Sequence, residues 1–514
     1  MRTAVILGAG PAGLTAAWEL LQRTEYVPLV LEAESTVGGL ARTVEQAGRR
    51  LDIGGHRFFT QSENVLAWWF SFLPLQRLGQ DAVPLRYHGR VLHLQSRYPT
   101  ADPDAEAVFL VRPRKSRIFA FGHLFEYPLL MNAAALRHLG IARSAAIGTA
   151  YLWRRFFPRR SETNLEDFLV NRFGDALYRY FFKDYTEKVW GVPCTALSAE
   201  WGAQRIRGVS LGAALRQSLP WRNAQTNDTP PSLTEYFLYP RRGPGQLWER
   251  VAQRIVERGG SILLNHRVTR LRTEGKRVVA VYARDTRERK EHEFSADLVF
   301  STVPIADLCR ALGDVVPNPV RAIACALPYR DFVTVGLEVS RVHDPYTHEL
   351  LPDNWIYIQD PRLRVGRLQV YNNWSTGMAP PSGAVWLGLE YFCNRDDPLY
   401  NQSDEAWIRL AHAELYTAGF CPDKTPRFGF VVRVEKAYPA YHGAYREFSR
   451  LRTFFDDWEN LFLIGRNGMH RYNNQDHAML TAMAAVDVAA GYGEGRDAIW
   501  AVNTGEEYIE AAAE

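Results

Sequence analysis

Residues 3–32 constrain the chain more than any other stretch. Thr3–Leu7 (TAVIL) is a short apolar run of the kind that forms a buried parallel strand. Gly8-Ala9-Gly10-Pro11-Ala12-Gly13 follows, then the helix-like Leu14–Gln22. In such a turn Gly8 permits the bend, Gly10 lets the backbone approach a pyrophosphate, and Gly13 lets the helix close on the strand. Pro11 and Ala12 open the helix, whose free N–H groups and positive dipole end suit phosphate. A second apolar run, Val27–Leu31, ends in Glu32, 19 residues after Gly13, followed by Ala33. An acidic residue there accepts hydrogen bonds from a ribose 2′-OH. The spacing predicts a strand–turn–helix–strand cradle for an unphosphorylated adenine dinucleotide.

Both NAD and FAD use such a cradle. Val37-Gly38-Gly39-Leu40-Ala41-Arg42-Thr43 then adds a second glycine pair and an arginine. This segment resembles the FAD-specific extension of the amine oxidase and protoporphyrinogen oxidase superfamily. The resemblance implies FAD, with Gly39, Leu40 and Arg42 at the far side of the pyrophosphate. It also implies an α/β fold: a Rossmann-like FAD-binding domain of the glutathione reductase type, discontinuous in sequence. Expected pieces of that domain are 1–60, 236–304 and 455–500. An inserted, largely helical subdomain would span 61–235, and an antiparallel-sheet substrate domain 305–454.

The returning segment begins at Gly243-Pro244-Gly245 and a helical pattern, Gln246–Arg258. Strand-like Ser261–Leu264 and Arg267–Leu271 follow, then Ala296–Pro304. By resemblance, the Val268 backbone meets adenine and the Ser301–Pro304 turn closes over the pyrophosphate. Glu166–Lys188 predicts one long helical region. Phe332–Val339, Arg367–Asn372, Ala384–Phe392 and Phe428–Val434 alternate as strands with one buried face. Ser218–Pro231 reads as a loop.

Asn460–Gly465 is a strand ending at glycine, and His477–Ala490 is a helix with an apolar face. Between and beside them lie Arg466, His470, Arg471, Tyr472, Asn473, Asn474, Gln475, Asp476 and His477. So many polar groups in one turn need a ligand or a network. A helix N-terminus here suits negative charge on the N1–C2=O edge of a reduced flavin. The expected cofactor contacts are Gly465, Arg466, Asn474, Gln475, Asp476 and Met479.

Four segments are similar to the UDP-galactopyranose mutase family. Leu51–Thr60 (LDIGGHRFFT) resembles its histidine loop, which implies that Gly55 and His56 lie against the flavin ring. Phe181–Gly191 (FFKDYTEKVWG) resembles its cleft helix, with Tyr185 facing the substrate. Leu327-Pro328-Tyr329-Arg330 resembles the segment whose arginine meets the substrate diphosphate, and Gly465–Asp476 resembles its closure. The resemblance assigns catalytic roles to His56, Arg330, Arg466, Tyr472 and Tyr185. On this reading the substrate is a nucleotide-diphosphate sugar, and N5 of reduced FAD is the nucleophile toward its anomeric carbon. An Arg330→Ala change would then weaken nucleotide-diphosphate binding by roughly 1.5–3 kcal/mol. The chain differs from the family at Phe59, His470, Asn474 and Val431 or Val432 before Arg433, all on the sugar side of the pocket.

The competing reading is an oxidase or desaturase of the amine oxidase type, passing hydride from substrate to flavin. A flavin-bound scaffold without turnover is the third. Arginines turned into structural salt bridges would favour the oxidase. Trp190 and Trp374 are as compatible with core packing as with ligand stacking.

Composition narrows the partners. The 514 residues carry a net charge of +4, which gives no footprint for nucleic acid. The basic run Arg112, Arg114, Lys115 and Arg117 reads as a solvated face. Five cysteines without a CxxC pair argue against a disulfide framework or a metal site and fit a reducing cytoplasm. No secretory signal and no membrane span are expected. Leu129–Phe157, with Arg137, His138, Arg143, Arg154 and Arg155, reads as a pair of surface helices. Its sharper alternative is a basic amphipathic patch that rests on a membrane or a lipid-linked substrate. A homodimer is also admitted.

Overall fold

The computed structural model describes residues 2–78, 84–87, 90–94, 98–159, 161–199, 236–493 and 495–502. The apolar runs read as strands form one five-stranded sheet. Its strands are Arg2–Leu7, Tyr26–Leu31, Ser261–Leu263, Leu298–Ser301 and Leu461–Leu463, all paired in parallel. Numbered along the chain, they lie in the order 3-2-1-4-5. Helix Pro11–Arg23 follows the first strand and packs on helix Gln475–Ala489, so the two ends of the sequence meet. The chain leaves this sheet after its second and fourth strands, and helix Gly245–Glu257 leads it back into the third. Both excursions start from the carboxyl ends of strands, the side on which open α/β sheets bind ligands.

The second sheet has seven strands, in the order His123–Glu126, Ser116–Ala120, Trp355–Ile358, Arg367–Val370, Val385–Cys393, Tyr329–Val339 and Phe428–Pro439. Ser116–Ala120 pairs in parallel with Trp355–Ile358, and the other pairs are antiparallel. This sheet draws on residues expected to lie in the inserted, largely helical subdomain 61–235. Two strands of that stretch belong to the sheet expected from 305–454 alone, and Phe109–Pro113 pairs with Tyr236–Pro240. Ile118, Phe119 and Ala120 are buried on both faces of the sheet's second strand, which the reading of the basic run before it as a solvated face obscured.

The helical region read at Glu166–Lys188 is present in three joined pieces. Leu165–Leu177 is broken at Gly174, where φ is 79°, and a Cβ there would strike the backbone of Tyr151, so the position requires glycine. A π-helical turn, Tyr178–Lys183, and helix Asp184–Trp190 follow. Leu129–Phe157 holds the expected pair of helices, which run through Ala133–Phe156 and part at Gly140. The basic run at 112–117 is consumed internally: Arg117 holds Asp353 and Asp344, Lys115 holds Glu126, and Arg112 caps the Trp374 carbonyl. The loop read at Ser218–Pro231 lies outside the described residues.

Trp374 is fully buried against Phe237 and Tyr239, and Trp190 joins the core beneath helix Asp184–Trp190. Both are packing residues. No helix of the described residues is long and apolar enough to cross a membrane. The five cysteines are free.

One stability effect follows from the core alone. His470 is fully buried between Tyr329, Tyr445 and Phe448, and burial pushes its imidazole down to about 4. Nε2 meets the Ala440 carbonyl, but Nδ1 has no partner, so protonation would bury a bare N–H. An unfolded histidine binds its proton near 6.5. Between these values the unfolded chain holds a proton that the folded chain refuses, so stability falls as pH drops from 6.5 toward 4. The fall expected from this residue is about 3 kcal/mol. Denaturant midpoints at both ends of that window should separate for the native protein. Their separation should change in His470→Asn by the share this residue contributes, since asparagine tolerates the residue's left-handed backbone, with φ at 46°.

Candidate active site

The nucleotide cradle is built from close backbone approaches. Gly8 has φ of 106°, and a Cβ on Gly13 would overlap the Gly8 carbonyl. Gly39 lies over Gly10, where a Cβ would stand 3.0 Å from the Gly10 Cα. Gly465 comes in from the other end of the chain, and a Cβ there would stand 2.8 Å from Ala12 Cβ. These contacts bring Gly8, Gly10, Pro11, Ala12, Gly13, Gly39 and Gly465 to one place. The helix begins at Pro11 with Gly10 as its cap, no side-chain cap bond and no acid in the first turn. That leaves its N-terminus open to an anion.

Glu32, at the end of the second strand, accepts from Ala9 N at 2.7 Å and from Glu34 N at 2.9 Å. Each oxygen retains a lone pair for a ribose hydroxyl. Ala33 continues this turn. Arg42 donates only to the Gly39 carbonyl, at 3.0 Å, which leaves Nε and Nη2 uncommitted. Ser301 Oγ is fully buried without a partner. Val268 sits at a bulge in its strand, where the pairing with Ala283 slips before Arg270 and backbone groups are released. An orphaned hydroxyl, a two-glycine gap and a spare guanidinium fit a dinucleotide diphosphate. Gly13→Ala is therefore expected to abolish stable FAD retention, read as loss of flavin absorbance near 450 nm in purified protein.

At the closure, Asn474 caps helix Gln475–Ala489. Its side chain takes the His477 N–H, while its own N–H reaches His477 Nδ1 at 3.4 Å. An asparagine caps without adding negative charge where a reduced flavin edge would carry its own. Gln475 accepts from Trp248 Nε1 and Met479 Sδ from Trp69 Nε1, so these two fix the helix against the core. Asp476 is buried at the first turn.

The histidine loop is held at its base by Asp52, which accepts from Tyr239 at 2.5 Å and Thr43 at 2.8 Å. Burial pushes the Asp52 carboxyl up to about 7. Gly55 lies flat on the Trp355 ring, too close for any side chain. His56 Nε2 meets the Ile53 carbonyl at 2.7 Å. Burial, with the Arg466 charge assisting, pushes His56 down to about 4. It is a neutral hydrogen-bonding group at pH 7. Leu40 packs nearby on the cleft side.

Two arginines and three tyrosines gather beside this loop, whose Gly54 lies against Glu390 and Tyr438. Arg466 donates Nε to the Asn473 carbonyl and Nη1 to the Ala437 carbonyl, with Tyr472 under its face at 4.7 Å. Tyr472 and Tyr438 stack, with centroids 5.6 Å apart. Arg367 donates Nε to Tyr185 Oη at 3.1 Å and Nη1 to Glu390 at 3.2 Å and to Tyr438 Oη at 3.4 Å. Gln369, two residues along the same strand face, holds the other Glu390 oxygen at 2.7 Å. Burial raises the Tyr185 and Tyr438 hydroxyls, so both stay protonated. Burial also raises Glu390, and Arg367 opposes that. Among the described residues the hydrogen bonds of Arg367 and Arg466 run through Nε and Nη1, not Nη2.

Arg330 corrects the sequence reading. Its Nε meets the Val189 carbonyl, Nη1 meets Asn394 Oδ1, and Nη2 meets the carbonyls of Lys188 and Phe392. It is buried against Gly191, and none of these bonds goes to Arg466, Tyr472, Tyr185 or His56. It ties the cleft helix to the sheet. Lys188 does similar work, donating to the carbonyls of Ile358, Asp360 and Val365. Arg367, Gln369, Glu390 and Tyr438 were missed in the sequence. Their signal is the register Arg367↔Glu390 and Gln369↔Gly388, polar positions on a strand face that is buried on both sides.

Residues 11–465 match the flavin-containing amine oxidoreductase family, and the chain belongs to it. It is an FAD-dependent enzyme by that membership. Reduced UDP-galactopyranose mutase has a similar structure, with a TM-score of 0.78 and 20% identity over 99% of this chain and 98% of that one. A protein described as a protoporphyrinogen oxidase from Exiguobacterium sp. 255-15 gives 0.63 and 17%, over 95% and 99%. An oxidoreductase from Methanosarcina mazei gives 0.57 and 13%, over 95% and 100%. At these identities the likeness is one of fold.

Proposed function

We propose that this enzyme acts on a nucleotide-diphosphate sugar, as a pyranose/furanose mutase or a relative, without restriction to UDP-galactose. The observation that carries the reading is the pair of guanidinium groups, Arg367 and Arg466, each bonded among the described residues through Nε and Nη1 and not Nη2, on a wall shared with three tyrosine hydroxyls. Two cations against one carboxylate, Glu390, and a neutral His56 leave the wall positive. A diphosphate gains charge-assisted hydrogen bonds there. A cationic amine would be repelled.

Reduced FAD, when bound, supplies a nucleophilic N5 for the anomeric carbon. The chain's own work is positioning. Arg367 and Arg466 orient the diphosphate, and they stabilise the charge it gains as the glycosidic oxygen departs. Tyr185 accepts from Arg367 and keeps its own proton to donate. The neutral His56 and its loop cover the cleft and limit water.

One observation favours hydride-transfer chemistry instead: Arg330, one of the two arginines expected at a diphosphate, is spent on the fold. The two readings separate in one experiment. Protein reduced with dithionite should interconvert the pyranose and furanose forms of a sugar within a panel of nucleotide sugars, followed by chromatography. No interconversion with any of them, together with oxygen-dependent turnover of an amine or tetrapyrrole, would sink the mutase reading.

A further inference from the structure

Helix Ala133–Phe156 presents a surface that the flavin site does not use. Six large apolar side chains of this one segment are exposed: Leu136, Ile141, Leu152, Trp153, Phe156 and Phe157. Ile141 is 92% exposed and Phe156 74%. Patches of this kind on a folded protein mark interaction sites. The helix breaks at Gly140, where φ is 76°, so Ile141–Phe156 is a rod of its own. Along it, Ile141, Ala145, Thr149, Leu152 and Phe156 recur at intervals of four, four, three and four, and all are exposed. That spacing lays one continuous stripe along the solvent side of the rod. Ile147 points the other way and is buried. Trp153 and Phe157 flank the stripe with their rings in contact, centroids 4.5 Å apart.

The charge around the stripe is of one sign. Residues 129–159 contain no aspartate or glutamate. Arg137 and Arg155 are exposed beside the apolar side chains, whereas Arg143 turns back over the Phe121 ring and donates to the Leu139 carbonyl. Arg154 and Arg159 turn inward to Asp175, Glu166 and Asp167 on the helix beneath.

We propose that Ile141–Phe157 is a docking element for an anionic lipid surface. It lies in the plane of the headgroups, with Trp153, Phe156 and Phe157 in the interface and Arg137 and Arg155 at lipid phosphates. An aromatic pair with an apolar stripe and a basic border is the composition that such a position selects. The segment rests on the bilayer and does not cross it, in keeping with the absence of a spanning helix among the described residues. A second copy of the chain fits less well, because a twofold contact would press this acid-free surface against itself, arginine toward arginine.

The test is co-sedimentation of the full-length, FAD-loaded protein with vesicles. Vesicles of equal parts phosphatidylglycerol and phosphatidylcholine should pull the protein down, pure phosphatidylcholine should retain little, and added salt should release it. Trp153→Glu combined with Phe156→Glu should weaken binding by on the order of a hundredfold, with flavin content and circular dichroism unchanged. Arg155→Glu should weaken it roughly fivefold or more. The proposal is overturned by a native protein that stays in the supernatant with both vesicles, or by a double variant that sediments like the native one. It is equally overturned if the native protein is a dimer in ultracentrifugation that the double variant converts to monomer, which would make this face an interface between copies.

Discussion

Replacing Arg330 by Ala is expected to lower the unfolding free energy by about 3 kcal/mol or more, without changing the nucleotide affinity of the protein that remains folded. Four of its five N–H groups are spent on Val189, Lys188, Phe392 and Asn394. Truncation leaves three buried carbonyls without donors, and the end of the cleft helix loses its tie to the sheet. Arg330→Lys keeps the charge but not the fork, so it should recover only part of the loss. Denaturant titration measures the first effect, and calorimetry with UDP measures the second. A stable Arg330→Ala protein with weakened UDP binding would return this arginine to the substrate.

Arg367→Ala should have a comparable cost with a different signature. Its partner Glu390 is fully buried, and removing one member of a buried pair costs about 3–5 kcal/mol because the other is left uncompensated. A double change, Arg367→Met with Glu390→Gln, removes both charges and should restore most of the stability. It should not restore binding. UDP affinity should stay down by roughly tenfold to a hundredfold, the loss of one charge-assisted contact to phosphate. If the double variant is stable and binds UDP like the native protein, Arg367 is a structural residue and the diphosphate reading loses its main support.

These two arginines show where sequence reasoning holds and where it stops. The cradle was legible because its constraints are local. Gly8, Gly10 and Gly13 sit within one turn, and Glu32 lies one strand away, so spacing alone places them together. The Gly38-Gly39 pair and the closure at Gly465 were legible as motifs, and the structure brings Gly39 to Gly10 and Gly465 to Ala12. Four strands of the second sheet were legible from their alternation, and His123–Glu126, Ser116–Ala120 and Trp355–Ile358 were not. Nor were the pairings: Ser116–Ala120 lies beside Trp355–Ile358, more than two hundred positions away, and nothing in either run names the other.

For the cleft, the sequence by itself determined which chemical types are available: arginines, tyrosines, a histidine beside glycines, and an uncharged cap at Asn474. It could not decide which guanidinium groups are free. Arg330 and Arg367 look alike along the chain, each opening a strand. Only the tertiary structure surrounds one with the carbonyls of a helix end and lines the other with Tyr185, Tyr438 and Glu390. The reason is physical. A turn of glycines is dictated by backbone contacts a few residues apart, whereas the availability of a buried charge depends on every group packed around it, drawn from segments that meet only when the sheet closes.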